Sequence, residues 1–393
     1  MPTYEDLRAY FNESETLQNV VRQAADVQIV TGFTIDVHPL WIFLYDLEEG
    51  IFGKNFPAEA WVDRFIHFSS MLPLWPFPDW PAPAFQSYRR RDLKRQVALW
   101  SDHLRWVGKA GARSPIMLTV AHRPIRTPVS DEPNNDEADR ARLIEIANAS
   151  PAFVQVEERR QATLAFAPGD SIKTSQGRSG TYGGTLTDQH GKKYGMSCAH
   201  VAETDDTITD NAGTHLGTCA HHTTLSALGG DTVCDPIILP MPVPSPGNGT
   251  SVNMLDLSLI DLAAVPDSTR TLSGVAKSLT IGQDVEVDGA ITKAKCRLGS
   301  LAISYAFTRG GKSYCFRDAI ELKPQPRFGI GGAIGTLFST LPTQGDSGAW
   351  ILTQESLPAW AGVFFAEDGQ RGYCIRAKWA HDWAENLVGP LSV

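Results

Sequence analysis

The stretch Thr343-Gln344-Gly345-Asp346-Ser347-Gly348-Ala349-Trp350 places an Asp-Ser pair between two glycines. Glycine on either side lets the backbone turn sharply and present its amides toward one point. Attack by a serine hydroxyl on a carbonyl puts negative charge on oxygen, and two preorganised N–H donors stabilise that charge. The expected donors are the amides of Gly345 and Ser347, with Ser347 as the nucleophile. A Gly-Asp-Ser-Gly tetrad arises by chance in about 1% of chains this long. It therefore needs companions.

Two companions lie upstream. Tyr194-Gly195-Met196-Ser197-Cys198-Ala199-His200-Val201 reads as an apolar strand ending in a histidine, which suits a rigid general base. Residues 180–186 and 192–197, joined through Asp188-Gln189-His190-Gly191, read as the hairpin that carries it. In Met254-Leu255-Asp256-Leu257-Ser258-Leu259-Ile260 a carboxylate sits within apolar sequence and needs a partner if buried. A bond to His200 Nδ1 would supply one and fix the imidazole tautomer. Asp261, Asp235, Asp205 and Asp206 compete for that place, with Asp256 and then Asp261 ranked first.

The order His, Asp, Ser, with about 55 and about 90 residues between them, resembles that of chymotrypsin-like serine peptidases. Ser-Cys-Ala-His200 is similar to that family's Thr-Ala-Ala-His, Asp256-Leu-Ser-Leu-Ile resembles its Asp-Ile-Ala-Leu-Leu, and Gly345-Asp-Ser-Gly348 is its nucleophile motif unchanged. Residues 360–365 look like the strand lining the specificity pocket, 372–377 like the next strand, and 378–387 like the closing helix. The resemblance spans residues 165–393 and implies an all-β double Greek-key β-barrel with the triad in the cleft between barrels. It also implies a substrate pocket formed by Leu341, Phe364, Phe365 and Gly372, with Glu367 near its rim. Leu341 stands where trypsins proper carry an aspartate, so an uncharged or hydrophobic side chain is expected before the cleaved bond. Nothing near residue 165 looks like the Ile-Val-Gly-Gly start whose freed amine completes the site in animal zymogens. Asp346 is therefore expected to have another partner. The segments Pro168-Gly169-Asp170-Ser171-Ile172 and Gly180-Thr181-Tyr182-Gly183-Gly184 look more like intracellular bacterial trypsin-like domains, which often follow an accessory domain.

At 393 residues the chain exceeds one ordinary core and suits two domains. Composition changes near residue 165, since six of the ten tryptophans and no cysteine precede it. Residues 1–164 are expected to form a small α/β or α+β accessory or regulatory domain. Its expected helices cover residues 14–25, 58–69, 89–107 and 137–149, and its strands 28–37, 40–47, 115–121 and 152–157. Residues 72–83, rich in proline and tryptophan, read as an extended loop or docking segment. Residues 127–139 read as an exposed loop.

Apolar residues make up 42% and charged residues 20%, as in ordinary folded proteins, and the net charge of −9 disfavours broad nucleic-acid or anionic membrane binding. The start Met1-Pro2-Thr3-Tyr4-Glu5-Asp6 is acidic where a secretory leader is basic and then apolar, so a cytoplasmic setting is expected. Free thiols are the default for the six cysteines. His215, Cys219, His221 and His222 fit no ordinary zinc module, and no metal or cofactor is expected. The expected activity is a regulated serine endopeptidase acting on protein or peptide substrates, with a regulatory protein partner docking on residues 1–164. The alternatives are a non-catalytic peptide-binding module on the same fold, or a self-cleaving protease or esterase.

Overall fold

The computed structural model describes residues 3–37, 116–125, 135–164, 172–228, 234, 252–264, 271–325 and 341–393. The elements expected at 40–47, 58–69 and 89–107, the proline-rich stretch 72–83, and Asp235 lie outside the described residues.

Helix α1 (Tyr4–Glu13) starts on a capping box in which Thr3 Oγ1 accepts the N–H of Asp6 while Asp6 Oδ2 accepts the N–H of Thr3. Its Tyr4, Leu7 and Phe11 recur at helical spacing and are buried. The sequence reading missed this helix, although the Thr3-x-x-Asp6 box was there to find. Helix α2 (Glu15–Ala25) follows with Ser14 as its N-cap and buries Leu17, Val20, Val21 and Ala24, as expected. Strand β1 (Val30–Val37) pairs antiparallel with β2 (Ile116–His122), and both are buried at every position. Helix α3 (Asp136–Ala149) begins inside the stretch expected to be a loop. Asp136, Glu137 and Asp139 lie in its first turn, where the positive end of the helix dipole favours them. β3 (Phe153–Glu158) then runs parallel to β2, and β4 (Ala162–Leu164) leads toward the second part of the chain.

β5 (Ile172–Thr174), β6 (Ser179–Gly180), β7 (Gly184–Asp188), β8 (Lys193–Ser197), β9 (Thr207–Asp210), β10 (His215–His222) and β11 (Ser258–Leu262) form a sheet in the order β7-β8-β11-β10-β9-β5-β6. The expected hairpin is β7–β8, with Gly191 at φ 80° in its turn. Among the described residues this sheet does not close.

The remaining strands are β12 (Asp284–Asp288), β13 (Lys293–Arg309), β14 (Lys312–Phe316), β15 (Ala319–Pro324), β16 (Trp350–Thr353), β17 (Trp360–Glu367) and β18 (Gly372–Arg376). Here β12-β16-β17-β18-β15-β13 is a closed six-stranded barrel, because β13 pairs back onto β12. Helix α4 (Ala377–Val388) follows, and β19 (Leu391–Ser392) joins the open sheet beside β7. The chymotrypsin-like double β-barrel implied by the motifs is thus present as one closed barrel and one open, barrel-like sheet.

At 17 residues, β13 is long enough to serve two neighbours in turn. Its first half closes the barrel, and Leu301–Tyr305 pairs with β1, so the sheet of the N-terminal part continues that of the barrel. One apolar core correspondingly joins Tyr4, Leu17, Val20 and Phe33 to Val285, Cys296 and Phe364. Polar links cross the same boundary: Arg8 to Asp318 at 2.7 Å, Lys323 to Asp36 at 2.8 Å and Tyr4 Oη to the Gly299 carbonyl at 2.7 Å.

The cysteine default needs one correction. Cys234 and Cys315 form a disulfide with Cα atoms 5.0 Å apart, while Cys198, Cys219, Cys296 and Cys374 are free and buried. The partners are 81 residues apart in sequence, so their spacing gives no sign of the pairing. Among the described residues no helix is long and apolar enough to cross a membrane.

Candidate active site

Strand register brings the histidine and its acid together. β8 ends at Ser197, which pairs with Ser258 at the start of β11, so Cys198-Ala199-His200 leaves one strand beside Asp256 entering the next. Asp256 Oδ2 lies 2.6 Å from His200 Nδ1, and Oδ1 accepts the backbone N–H of His200 at 3.0 Å. The carboxylate thereby holds both the ring and the backbone of the histidine. Both residues are fully buried. A carboxylate in that setting is tolerable only with such partners.

Ser347 comes from the other barrel, in the turn just before β16. Its Oγ stands 2.9 Å from His200 Nε2. With Nδ1–H donated to Asp256, Nε2 is left as the acceptor for the serine proton. Asp261 instead pairs with Lys192 at 2.7 Å, and Asp206 with Arg178 at 2.7 Å. Asp205 occupies a left-handed turn position at φ 72°.

The turn around Ser347 is braced from outside itself. Asp346 is fully buried, and its Oδ1 accepts the N–H groups of Ile291 and Thr292 at 2.9 and 3.1 Å while Oδ2 accepts that of Thr343 at 3.0 Å. This supplies the other partner expected for Asp346. Thr181 donates its Oγ1–H to the Gly345 carbonyl at 2.9 Å and its N–H to the Ser347 carbonyl at 2.8 Å. Gly345 and Gly348 have φ of 101° and 97°, a region that costs any other residue strain. At Gly348 a Cβ would also meet the Thr181 carbonyl oxygen at 2.4 Å. Neither Thr181 nor the 289–292 turn was singled out from sequence, because both act through contacts distant along the chain.

Of the expected pocket residues, Phe364 and Phe365 are fully buried on opposite sides of β17, each in a different core, and Leu341 is half-buried against the core that holds Phe364. Gly372 is buried beside the Phe364 ring. Phe364 also anchors the turn, its carbonyl accepting the Gly348 N–H at 2.9 Å and its N–H donating to Ala349 at 2.9 Å. The Phe365 carbonyl lies 3.5 Å from Ser347 Oγ. Glu367, on the same strand, has a carboxyl raised above its usual range by burial.

Cys198, His200 and Asp256 place one potential metal-ligating atom each within 4.8 Å of one another. Burial first, and then the Asp256 charge, push the Cys198 thiol well above its ordinary range, and its S–H is directed at the Phe364 carbonyl at 3.4 Å.

No protein-family model and no curated protein sequence matches this chain. Among solved structures it is similar to Protease A of Thermobifida fusca, at 12% identity over 56% of this chain and 94% of that one, with a TM-score of 0.33. The Nocardiopsis protease NAPase aligns at 12% identity over 57% and 96% of the two chains, with a TM-score of 0.31. Kallikrein-related peptidase 10 aligns at 13% identity over 56% and 93%, with a TM-score of 0.29.

Proposed function

We propose that this chain is a serine endopeptidase using Ser347, His200 and Asp256. The observation that carries the proposal is the unbroken contact from Asp256 through both ring nitrogens of His200 to Ser347 Oγ, at 2.6 and 2.9 Å. Ser347 Oγ attacks the peptide carbonyl carbon as its proton passes to His200 Nε2, and Asp256 stabilises the imidazolium. The amides of Gly345 and Ser347 take the oxyanion. The C–N bond then breaks as His200 protonates the leaving amine, giving an acyl-enzyme. Water attacks that ester, again through His200, releasing a carboxylic acid and restoring Ser347.

Ser347 and His200 are fully buried, which supports a regulated enzyme. Residues 1–164 are suited to that control as an accessory domain, since β1 pairs directly with β13 of the barrel and a partner docking there would act on the same sheet. The Cys234–Cys315 disulfide is of a kind that persists mainly in oxidising compartments.

A fluorophosphonate probe tests the proposal. Labelling of the folded protein at Ser347, absent in Ser347→Ala of equal melting temperature and accompanied by hydrolysis of a peptide library, is the expected result. A folded, unlabelled protein under every condition that opens the site overturns it.

A further inference from the structure

β17 runs past one of its neighbours. β16 pairs with it only from Trp360 to Val363, whereas on the opposite side β18 follows it to Glu367. On the β16 side, Gly348 and Ala349 occupy the backbone groups of Phe364, and the Phe365 carbonyl stands beside Ser347 Oγ. Beyond that point the edge of β17 has outrun β16. Such an edge is a template for another strand, and extended peptides commonly bind by adding to one.

This chain fills the edge itself. β4 lies antiparallel to β17, pairing Leu164 with Ala366 and Thr163 with Glu367. Thr163 Oγ1 adds a bond to the Glu367 carbonyl at 3.5 Å. The other side of β4 is held parallel to β13, pairing Ala162 with Phe307 and Thr163 with Thr308. The antiparallel register fixes the direction: from Ala162 to Leu164 the strand advances toward Phe365 and the nucleophile. A peptide presented to Ser347 along this edge would travel the same way over the same backbone groups.

We propose that β4 is the chain's own occupant of the peptide-binding edge, so that the intact protein blocks its active site in cis and must release β4 to admit a substrate strand. The proposal rests on the serine-peptidase reading above. A tethered strand acts at an effective concentration of roughly millimolar, so a free peptide at micromolar levels competes poorly with it.

Thr163→Pro removes a backbone donor and strains the pairing on both sides of β4. In the full chain, this variant should raise kcat/KM on a peptide substrate by about tenfold or more, with faster fluorophosphonate labelling of Ser347 and a cooperative melt. Equal kcat/KM in a folded, labelled variant and its parent overturns the proposal and leaves the peptidase reading standing. No labelling of either protein removes the peptidase reading itself. If Thr163→Pro does not fold, the parent carries a second test by hydrogen exchange after complete reaction with either a peptidyl phosphonate or a small alkyl fluorophosphonate. Faster exchange across β4 with the peptidyl inhibitor alone is expected. Equal protection with both overturns the proposal.

Discussion

Asp346 Oδ1 accepts the backbone N–H of Ile291 at 2.9 Å, tying the residue before Ser347 to a turn 55 residues upstream. With Thr292 and Thr343 also donating, the carboxylate is satisfied by backbone amides and needs no amine from a newly cut N-terminus. Acetylating the N-terminal amine should therefore leave the labelling rate of Ser347 unchanged. Asp346→Ala should cost about 1–3 kcal/mol for each buried amide left without an acceptor, seen as a lowered denaturation midpoint together with lost labelling.

Asp256→Asn keeps the shape of the acid but offers the wrong partner to His200 Nδ1. kcat on a peptide substrate should fall on the order of 10⁴-fold with little change in KM. Steady-state kinetics on the folded variant check this, and a loss under about tenfold would remove Asp256 from the orienting role.

Gly348→Ala introduces a Cβ at φ 97° that would meet the Thr181 carbonyl at 2.4 Å and Ser197 Oγ at 2.5 Å. Backbone strain alone costs about 1–3 kcal/mol, and the clash displaces the turn that holds Ser347. Urea denaturation should show the loss, with Ser347 labelling reduced in parallel.

Glu321 is fully buried and paired with Arg159 across the boundary between β15 and the N-terminal part, with Arg371 Nε 3.4 Å from its other oxygen. Arg159→Met leaves that carboxylate with one distant partner and should destabilise by about 3–5 kcal/mol. Arg159→Met combined with Glu321→Leu removes both charges and should be milder. Denaturation midpoints of the two variants distinguish a buried pair from mere loss of side-chain packing.

Burial works against ionisation of Glu157, but Arg159 and Arg371 together hold its carboxyl below the usual range. A carboxylate whose folded value is depressed contributes stability that is present above its unfolded pKa and lost as pH falls through the folded one. The stability gap between the wild type and Glu157→Gln should therefore be full at about pH 6 and shrink toward about pH 3. Chemical denaturation across that range is the measurement.

Local chemistry made the central residues legible. Gly345-Asp-Ser-Gly348 and the histidine-ended strand at His200 can be read from a few adjacent residues, and the strands expected at 360–365 and 372–377 from their resemblance to those of the peptidase family are found at Trp360–Glu367 and Gly372–Arg376. α2 could be read from its cap and periodicity, whereas α1 was missed despite an equally readable cap. Asp256 stood among several acids in the sequence. Its place against His200 depends on the Ser197–Ser258 register between two strands about 60 residues apart. The same holds for the Asp346 cradle, the Thr181 brace, the Cys234–Cys315 bond and the seating of β4 on β17. The sequence by itself determined which groups can do the chemistry, because hydroxyl, imidazole, carboxylate and glycine turn are properties of residues. Only the tertiary structure decided which acid, which brace and which strand stand beside them, because those choices are set by hydrogen bonds between chain segments that no local pattern encodes.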